Sequence, residues 1–239
     1  MAHFYLASSL TDRHAALTGD EARHAAQVSR LRVGERIVVG DGLGRVADAE
    51  ATVVGRDLVE LQVLALREEP RPAPRTVLVQ ALAKGGRDEA AIQAATELGA
   101  AVVVPWAAAR SVTRWTGPKV QAGVARWASI VREAGKQSMR PWAAEVRPLA
   151  STADVAALAA DATVLLLEPT AEARLLDVPL PEGRDVVLVV GPEGGIAPEE
   201  LDRLTAAGAT AVRLGPLVLR TSTAGPAALA ALAARLDLW

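Results

Sequence analysis

Val186-Val187-Leu188-Val189-Val190-Gly191-Pro192-Glu193-Gly194-Gly195-Ile196-Ala197-Pro198-Glu199-Glu200 decides the fold. Five apolar residues in a row mark a strand buried on both faces, as in a parallel sheet covered by helices. Pro198, followed by two acids, is a helix start: proline suits the first helical position, and carboxylates suit the amino-terminal dipole. Strand, glycine loop and helix together form the repeating unit of an α/β fold, whose ligands bind at the carboxyl ends of strands. The loop matches neither Gly-x-Gly-x-x-Gly nor the phosphate loop Gly-x-x-x-x-Gly-Lys-Ser/Thr. Glu193 and the acids behind it predict a local field that repels pyrophosphate, so a phosphate-free or positively charged nucleoside-like ligand fits better. The same glycines also suit a tight turn with no ligand.

The alternation extends outward from this unit. Strands are predicted at 76–82, 101–104, 163–167 and 211–214. Helices are predicted at 88–98, 118–137, 152–160, 198–207 and 223–236, with a short extended piece at 145–147. Before residue 67 the pattern changes to strands at 3–7, 36–40, 45–54 and 58–66 around one helix at 20–30, which predicts a small β-barrel. Arg67-Glu68-Glu69-Pro70-Arg71-Pro72-Ala73-Pro74 suits neither a central strand nor a helix. The expected boundary lies there, with a barrel domain over 1–70 and an α/β domain over 71–239.

A chain of 239 residues has room for both cores. Its 51% hydrophobic and 23% charged content excludes a disordered or low-complexity protein. No apolar run reaches the length of a membrane span, and the start shows no secretory leader, so a soluble cytoplasmic protein without a membrane partner is expected. The absence of cysteine excludes thiolate chemistry and disulfides, and three scattered histidines (His3, His14, His24) predict no metal site. The net charge of -2 is uneven: residues 1–70 carry 8 basic against 11 acidic side chains, 71–147 carry 12 against 5, and 148–239 carry 6 against 12. The basic middle also holds Trp106, Trp115, Trp127 and Trp142. Cations beside flat rings suit RNA; the plainer reading is a solvated helix face with tryptophans in the core.

Two further elements stand out. Leu214-Gly215-Pro216-Leu217-Val218-Leu219-Arg220 is an apolar loop that empties into the hydroxyls of Thr221, Ser222 and Thr223. The hydroxyls can cap the last helix, whereas Arg220 is a fixed cation suited to an anionic or electron-rich substrate edge, or to a salt bridge. On the long helix, Val120, Val124, Trp127 and Val131 form an apolar stripe, and Glu133, Gln137 and Arg140 a polar one that runs past the helix end. Such a ladder is also an ordinary solvated face.

Together, Leu82-x-Lys84-Gly85, Glu133-x-x-x-Gln137-x-x-Arg140, Gly191-Pro192-Glu193-Gly194-Gly195 and Leu214-Gly215 with Val218-Leu219-Arg220-Thr221-x-Thr223-Ala224 resemble the RsmE family of SPOUT methyltransferases. His24 and Val28-x-x-Leu31-Arg32-x-Gly34 extend the resemblance over nearly the whole chain. It implies a PUA-like β-barrel followed by a SPOUT α/β domain with a carboxy-terminal trefoil knot. It further implies a homodimer that moves the methyl group of S-adenosylmethionine to N3 of a uridine in 16S ribosomal RNA, with an assembled small-subunit ribonucleoprotein as the expected substrate. The implied cofactor residues are Leu166, Leu167, Glu168, Pro169, Gly191, Pro192, Glu193, Gly194, Gly195, Ile196, Leu214, Gly215, Leu219, Arg220, Thr221 and Thr223. Arg220 is expected to position the uracil, and Arg32, Lys84, Arg110, Glu133, Gln137 and Arg140 to face RNA. Ser222 stands where many relatives carry an acid, His3 where many carry arginine, and Ala109 where a polar residue is common; no general base is assigned. The alternatives are a knotted enzyme acting on a ribose 2'-oxygen and a non-catalytic RNA-binding factor of ribosome assembly.

Overall fold

The computed structural model describes residues 4–238, and His3, the first residue of the strand expected at 3–7, lies outside them. The chain divides into two compact units, Met1–Arg71 with Gly135–Ala143, and Pro72–Ala134 with Ala144–Trp239.

The first unit is a six-stranded sheet in the order β1-β4-β5-β6-β3-β2. Its strands are β1 (Phe4–Leu6), β2 (Ser9–Leu10), β3 (His14–Thr18), β4 (Arg36–Gly40), β5 (Arg45–Val54) and β6 (Leu58–Glu68). The two edge strands follow each other in sequence: the Ala7 amide donates to Gly40 and the Ser8 amide to Ala16, so the chain passes directly from one edge of the sheet to the other at residues 7–8. Register shifts at Asp48/Ala49 and Ala51/Val53 bend β5, as bulges do at barrel corners. Tyr5, Leu17, Val39, Ala47, Ala49, Val59 and Leu61 fill the interior. The helix expected at 20–30 is a short α1 (Gly19–Arg23) that widens into a π-helical turn over His24–Val28, with the Ser29 amide donating to His24. β6 also runs two residues into the charged linker, where Arg67 and Glu68 pair with Val46 and Arg45; the prolines that follow stop it.

The second unit is a wholly parallel sheet in the order β12-β10-β11-β7-β8-β9. Its strands are β7 (Thr76–Ala81), β8 (Val102–Trp106), β9 (Glu145–Val146), β10 (Ala162–Leu167), β11 (Asp185–Val190) and β12 (Thr210–Val212). Alternate residues of β11 face opposite sides: Val187 and Val189 pack with α4 (Thr152–Ala157) and α5 (Pro198–Ala206), while Leu188 and Val190 pack with α2 (Arg87–Glu97) and α6 (Thr221–Arg235). An apolar run is required because both faces are covered. Gly225 lets α6 approach closely: a Cβ there would lie 2.9 Å from Leu78 Cδ1.

The long helix, α3 (Pro118–Gln137), packs Trp127 and Val131 against Leu82, Ile92 and Val103. It ends in a Schellman pattern, with the Arg140 amide donating to Gly135 and the Met139 amide to Lys136, and Met139 at φ 54 in the position usually given to glycine. The turn takes Arg140 off the helical ladder expected with Glu133 and Gln137.

Candidate active site

The carboxyl ends of β10, β11 and β12 open into one cleft of about 670 Å³. Its walls are the loops that follow those strands, and its floor is the first turn of α6. The middle loop is tightly wound. The Gly195 amide donates to Pro192 at 2.9 Å, Gly195 adopts φ 72, and a Cβ on Gly191 would lie 2.9 Å from Ile196 Cγ1 and 3.1 Å from the Ile196 nitrogen. Only glycine fits at 191 without pushing backbone.

Side chains from outside the loop hold it in place. Glu193 accepts from the Lys84 amide at 3.2 Å and from the Arg87 guanidinium at 2.9 Å. Burial alone would raise its pKa, but its own amide, that of Lys84 and the Arg87 cation outweigh this and hold it below the usual glutamate value. Arg110 donates to the Gly194 carbonyl at 3.0 Å. Its segment is tied down by the buried Glu200, which accepts from the Ala109 amide at 2.9 Å and from the Thr152 hydroxyl at 2.7 Å.

The floor is fixed by a buried relay. The Nε2 of Gln80 donates to Thr221 Oγ1 at 2.8 Å, and Thr221 Oγ1 donates to the Gly191 carbonyl at 2.8 Å. The Gln80 Oε1 is buried with no partner among the described residues, a defect of about 1–3 kcal/mol. At the start of α2, Asp88 accepts from the Ala83 and Glu89 amides; burial raises its pKa despite those bonds.

On the far wall, the Glu168 amide donates to Val212, the Arg213 amide to Ala173 and the Leu175 amide to Arg213. The segment after β10 thus wraps the end of β12. Glu168 also lines the cleft, where its carboxylate accepts from the Thr170 hydroxyl at 2.9 Å and faces no ion-pair partner among the described residues. Arg220 lines the cleft and is exposed, and its guanidinium has no hydrogen bond among the described residues.

Comparison with known proteins gives this geometry its context. The RNA methyltransferase domain model matches residues 69–233, and the RNA methyltransferase PUA domain model matches residues 17–64. Ribosomal RNA small subunit methyltransferase E of Mycobacterium bovis is 45% identical over 230 residues, 94% of this chain and 88% of that one. Its counterpart in Bacillus subtilis is 32% identical over 93% of this chain and 90% of that one. The chain belongs to the ribosomal RNA small subunit methyltransferase E family. A family structure from Neisseria gonorrhoeae bound to S-adenosyl methionine superposes with a TM-score of 0.87 at 29% identity, covering 100% of this chain and 98% of that one.

For this family member, most of the residues expected at the cofactor line the cleft: Leu167, Glu168, Pro169, the whole of 191–196, Leu214, Gly215, Leu219, Arg220 and Thr221. Leu166 does not, because it points to the opposite face of β10 into the core. Thr223 does not either; it lies in the first turn of α6 but is exposed away from the cleft lining. The hydroxyl cluster does not cap α6 through a side chain, since Arg220 is the cap residue and the Thr221 hydroxyl is spent on Gly191.

The expected RNA-facing residues separate. Arg110 belongs to the cleft wall, Lys84 offers its amide to Glu193, and Arg32 is exposed on the barrel unit with its amide on Glu35. Glu133 and Gln137 are exposed on α3, whereas burial lowers the pKa of Arg140, whose Nε donates to the Trp142 carbonyl at 3.2 Å. The tryptophans pack within the protein: Trp106 and Trp127 are buried, Trp115 meets Trp127 edge-on at 5.5 Å, and Trp142 carries Arg71 over its ring.

The expected acidic field around Glu193 is also corrected. Arg87, Arg110, Arg213 and Arg220 all line the cleft beside Glu168 and Glu193. Arg110 and Arg220 were expected at the site, whereas Arg87 and Arg213 arrive from segments distant in sequence and were missed. Gln80 and Glu200 were missed for a similar reason: each is a single polar residue inside an apolar or helical pattern.

Proposed function

We infer that this protein transfers the methyl group of S-adenosylmethionine to N3 of a uridine in 16S ribosomal RNA of the small subunit. The observation that carries the reading is the cleft built by the loops after β10, β11 and β12, in a chain 45% identical to a small subunit methyltransferase E. The residues present fit the cofactor. Leu167, Ile196, Leu214 and Leu219 offer apolar surface for an adenosine, no phosphate has to be met, and the unpaired carboxylate of Glu168 suits a sulfonium.

When bound, S-adenosylmethionine supplies an electrophilic methyl group on a sulfonium. This chain's part is to hold donor and acceptor in line, which converts an encounter into a unimolecular step. N3 sits on the pairing edge of uracil, so the base is unpaired or flipped before reaction. The N3 proton passes to solvent, which leaves negative charge spread over the ring, and Arg220, the cleft guanidinium with no competing partner among the described residues, stabilises that charge. Arg110 shapes the wall beside it, and Arg32, Lys84, Glu133, Gln137 and Arg140 are our candidates for the RNA side.

The finer architecture belongs to the same proposal. The wrapping of 168–175 around 212–213, with the chain then passing into α6, supports a trefoil knot. The PUA unit, the basic middle segment and the near-neutral total charge support a structured ribonucleoprotein substrate, bound by a homodimer in the cytoplasm.

The test is nucleoside mass spectrometry of small-subunit RNA from a deletion strain with and without the restored gene. We expect one base-methylated uridine to vanish and return. A ribose-methylated product would instead indicate 2'-oxygen chemistry, and an unchanged nucleoside profile a non-catalytic assembly factor. Faster methylation of assembled subunits than of short naked RNA is the expected substrate preference.

A further inference from the structure

Gln80 is fully buried near the end of β7, in register with Val190 of β11 and Pro105 of β8, with one of its polar atoms unsatisfied among the described residues. For stability alone an apolar residue of the same volume would serve better, because a half-satisfied buried amide is costlier than none. Local rules broken at a cost are expected at functional positions.

The arrangement of hydrogen atoms indicates what Gln80 does. Its Nε2 carries two protons, one directed to the Ala81 carbonyl at 3.2 Å and one to Thr221 Oγ1 at 2.8 Å. A flipped amide would set an oxygen against the Ala81 carbonyl, so this assignment is the consistent one. A threonine hydroxyl owns one proton and can rotate. With the Gln80 donor occupying a lone pair, the Thr221 proton is turned to the Gly191 carbonyl. Successive bonds of this kind strengthen one another in a dry interior. The relay depends on the close seating of α6, which Gly225 permits one turn beyond Thr221.

We propose that Gln80 is a positioning residue for the cofactor: acting through Thr221, it locks the carbonyl of Gly191 and so holds the 191–196 loop in its binding shape before ligand arrives. Gln80 itself does not line the cleft, whereas Thr221 and Gly191 do. The proposal rests on the cleft being the S-adenosylmethionine site. A preorganised loop loses no ordering entropy on binding, so breaking the relay at Gln80 weakens affinity without touching a residue that lines the cleft.

The experiment is calorimetric titration of S-adenosylmethionine into the full-length protein, paired with thermal unfolding in the absence of ligand. Gln80→Met keeps the volume and removes both the donors and the orphaned oxygen. We expect its dissociation constant to rise about tenfold, the worth of one or two net hydrogen bonds, while its unfolding midpoint stays equal to or above that of the wild type. Thr221→Val is expected to weaken binding similarly, Thr221→Ser to stay within about threefold of wild type, and the double variant Gln80→Met with Thr221→Val to be no worse than either alone. In turnover the loss is expected in KM, with kcat at saturating cofactor within about threefold.

Unchanged affinity in both Gln80→Met and Thr221→Val would overturn the proposal, as would a loss of affinity that only tracks a loss of stability. Should Gln80→Met fail to fold, Gln80→Leu, which also lacks the donor and lies outside the cleft, decides the question by the same titration. A wild-type protein that gives no binding heat would instead refute the cofactor reading itself, whereas binding that is identical in all variants would refute the relay alone.

Discussion

Replacing Gly191 with alanine tests whether the loop after β11 is as tightly built as it needs to be. The added Cβ would lie 2.9 Å from Ile196 Cγ1, 3.1 Å from the Ile196 nitrogen and 3.3 Å from the Gly195 carbonyl carbon. A side-chain atom can rotate away, but the two backbone atoms cannot, so the turn must open by a few tenths of an ångström. Overpacking of this kind costs about 1–3 kcal/mol. That cost appears in one of two places. If the loop relaxes before ligand binds, it must be reclosed, and the full range corresponds to a roughly 5- to 150-fold weaker dissociation constant for S-adenosylmethionine. If the loop stays shut, the same energy is lost from folding. Titration calorimetry and unfolding of the apo protein measured together therefore account for the sum. Alanine at 194 meets only Arg110, at 3.3 Å from its Cβ, and should stay within about threefold of wild type. Alanine at 195 meets open space but must hold φ 72, which costs about 1–2 kcal/mol and places it between the other two. Wild-type affinity together with wild-type stability in the 191 variant would refute the reasoning, as would a larger loss at 194 than at 191.

Arg220→Ala should lower kcat at least tenfold and leave cofactor affinity nearly unchanged, as read by single-turnover methylation beside calorimetry; equal turnover would remove Arg220 from the chemistry. Glu21 and Lys136 form an ion pair at 2.9 Å with side chains 7% and 10% exposed, so Lys136→Met alone should cost about 3–5 kcal/mol of stability, and the double variant with Glu21→Gln should recover part of it in denaturant unfolding. Because the folded pKa of Glu193 is lowered, its carboxylate contributes stability above the unfolded value of about 4.3, and that contribution is lost as pH falls through the lowered pKa. Wild type should accordingly unfold at higher temperature than Glu193→Gln at pH 7, with the gap closing below about pH 4; a gap independent of pH would contradict the ion-paired state.

How much of this was legible in the chain depends on the range of the interaction that decides each feature. The strands 36–40 and 45–54 and the helix 118–137 fall where their patterns put them, because each is set by its own periodicity. β2 and β3 were missed: the first has two residues, and in the second the alternation of His14, Ala15, Ala16, Leu17 and Thr18 is carried by alanines too small to announce a buried face. β8 extends through Pro105, which a local rule would exclude from a strand paired on both sides, yet it aligns with Gln80 of β7 while its neighbours hold the ladder. The π-helical turn after Arg23 leaves no composition signal either. In the cleft, the glycines and Arg220 were legible because backbone geometry and isolated charge show in sequence. The Arg87–Glu193 pair was not, because 106 residues separate its partners.

That separation bears on how glycine-rich loops can be rigid. Glycines bring no side chains to pack, so the order of Gly191, Gly194 and Gly195 must come largely from groups delivered by other segments. Two of the four cleft arginines hold the glycine loop, Arg87 through the Glu193 carboxylate and Arg110 through the Gly194 carbonyl, while a third, Arg213, holds the carbonyls of Ala171 and Glu172 in the loop after β10. The fork of a guanidinium suits the task, since it offers several fixed donors and keeps its charge. With the donors of these three committed, Arg220 is left among the described residues as the cleft guanidinium free to respond to charge arising on a substrate. Order of this kind is established when the chain folds rather than when the ligand binds, so the cleft can favour the aligned, reactive arrangement over looser ones.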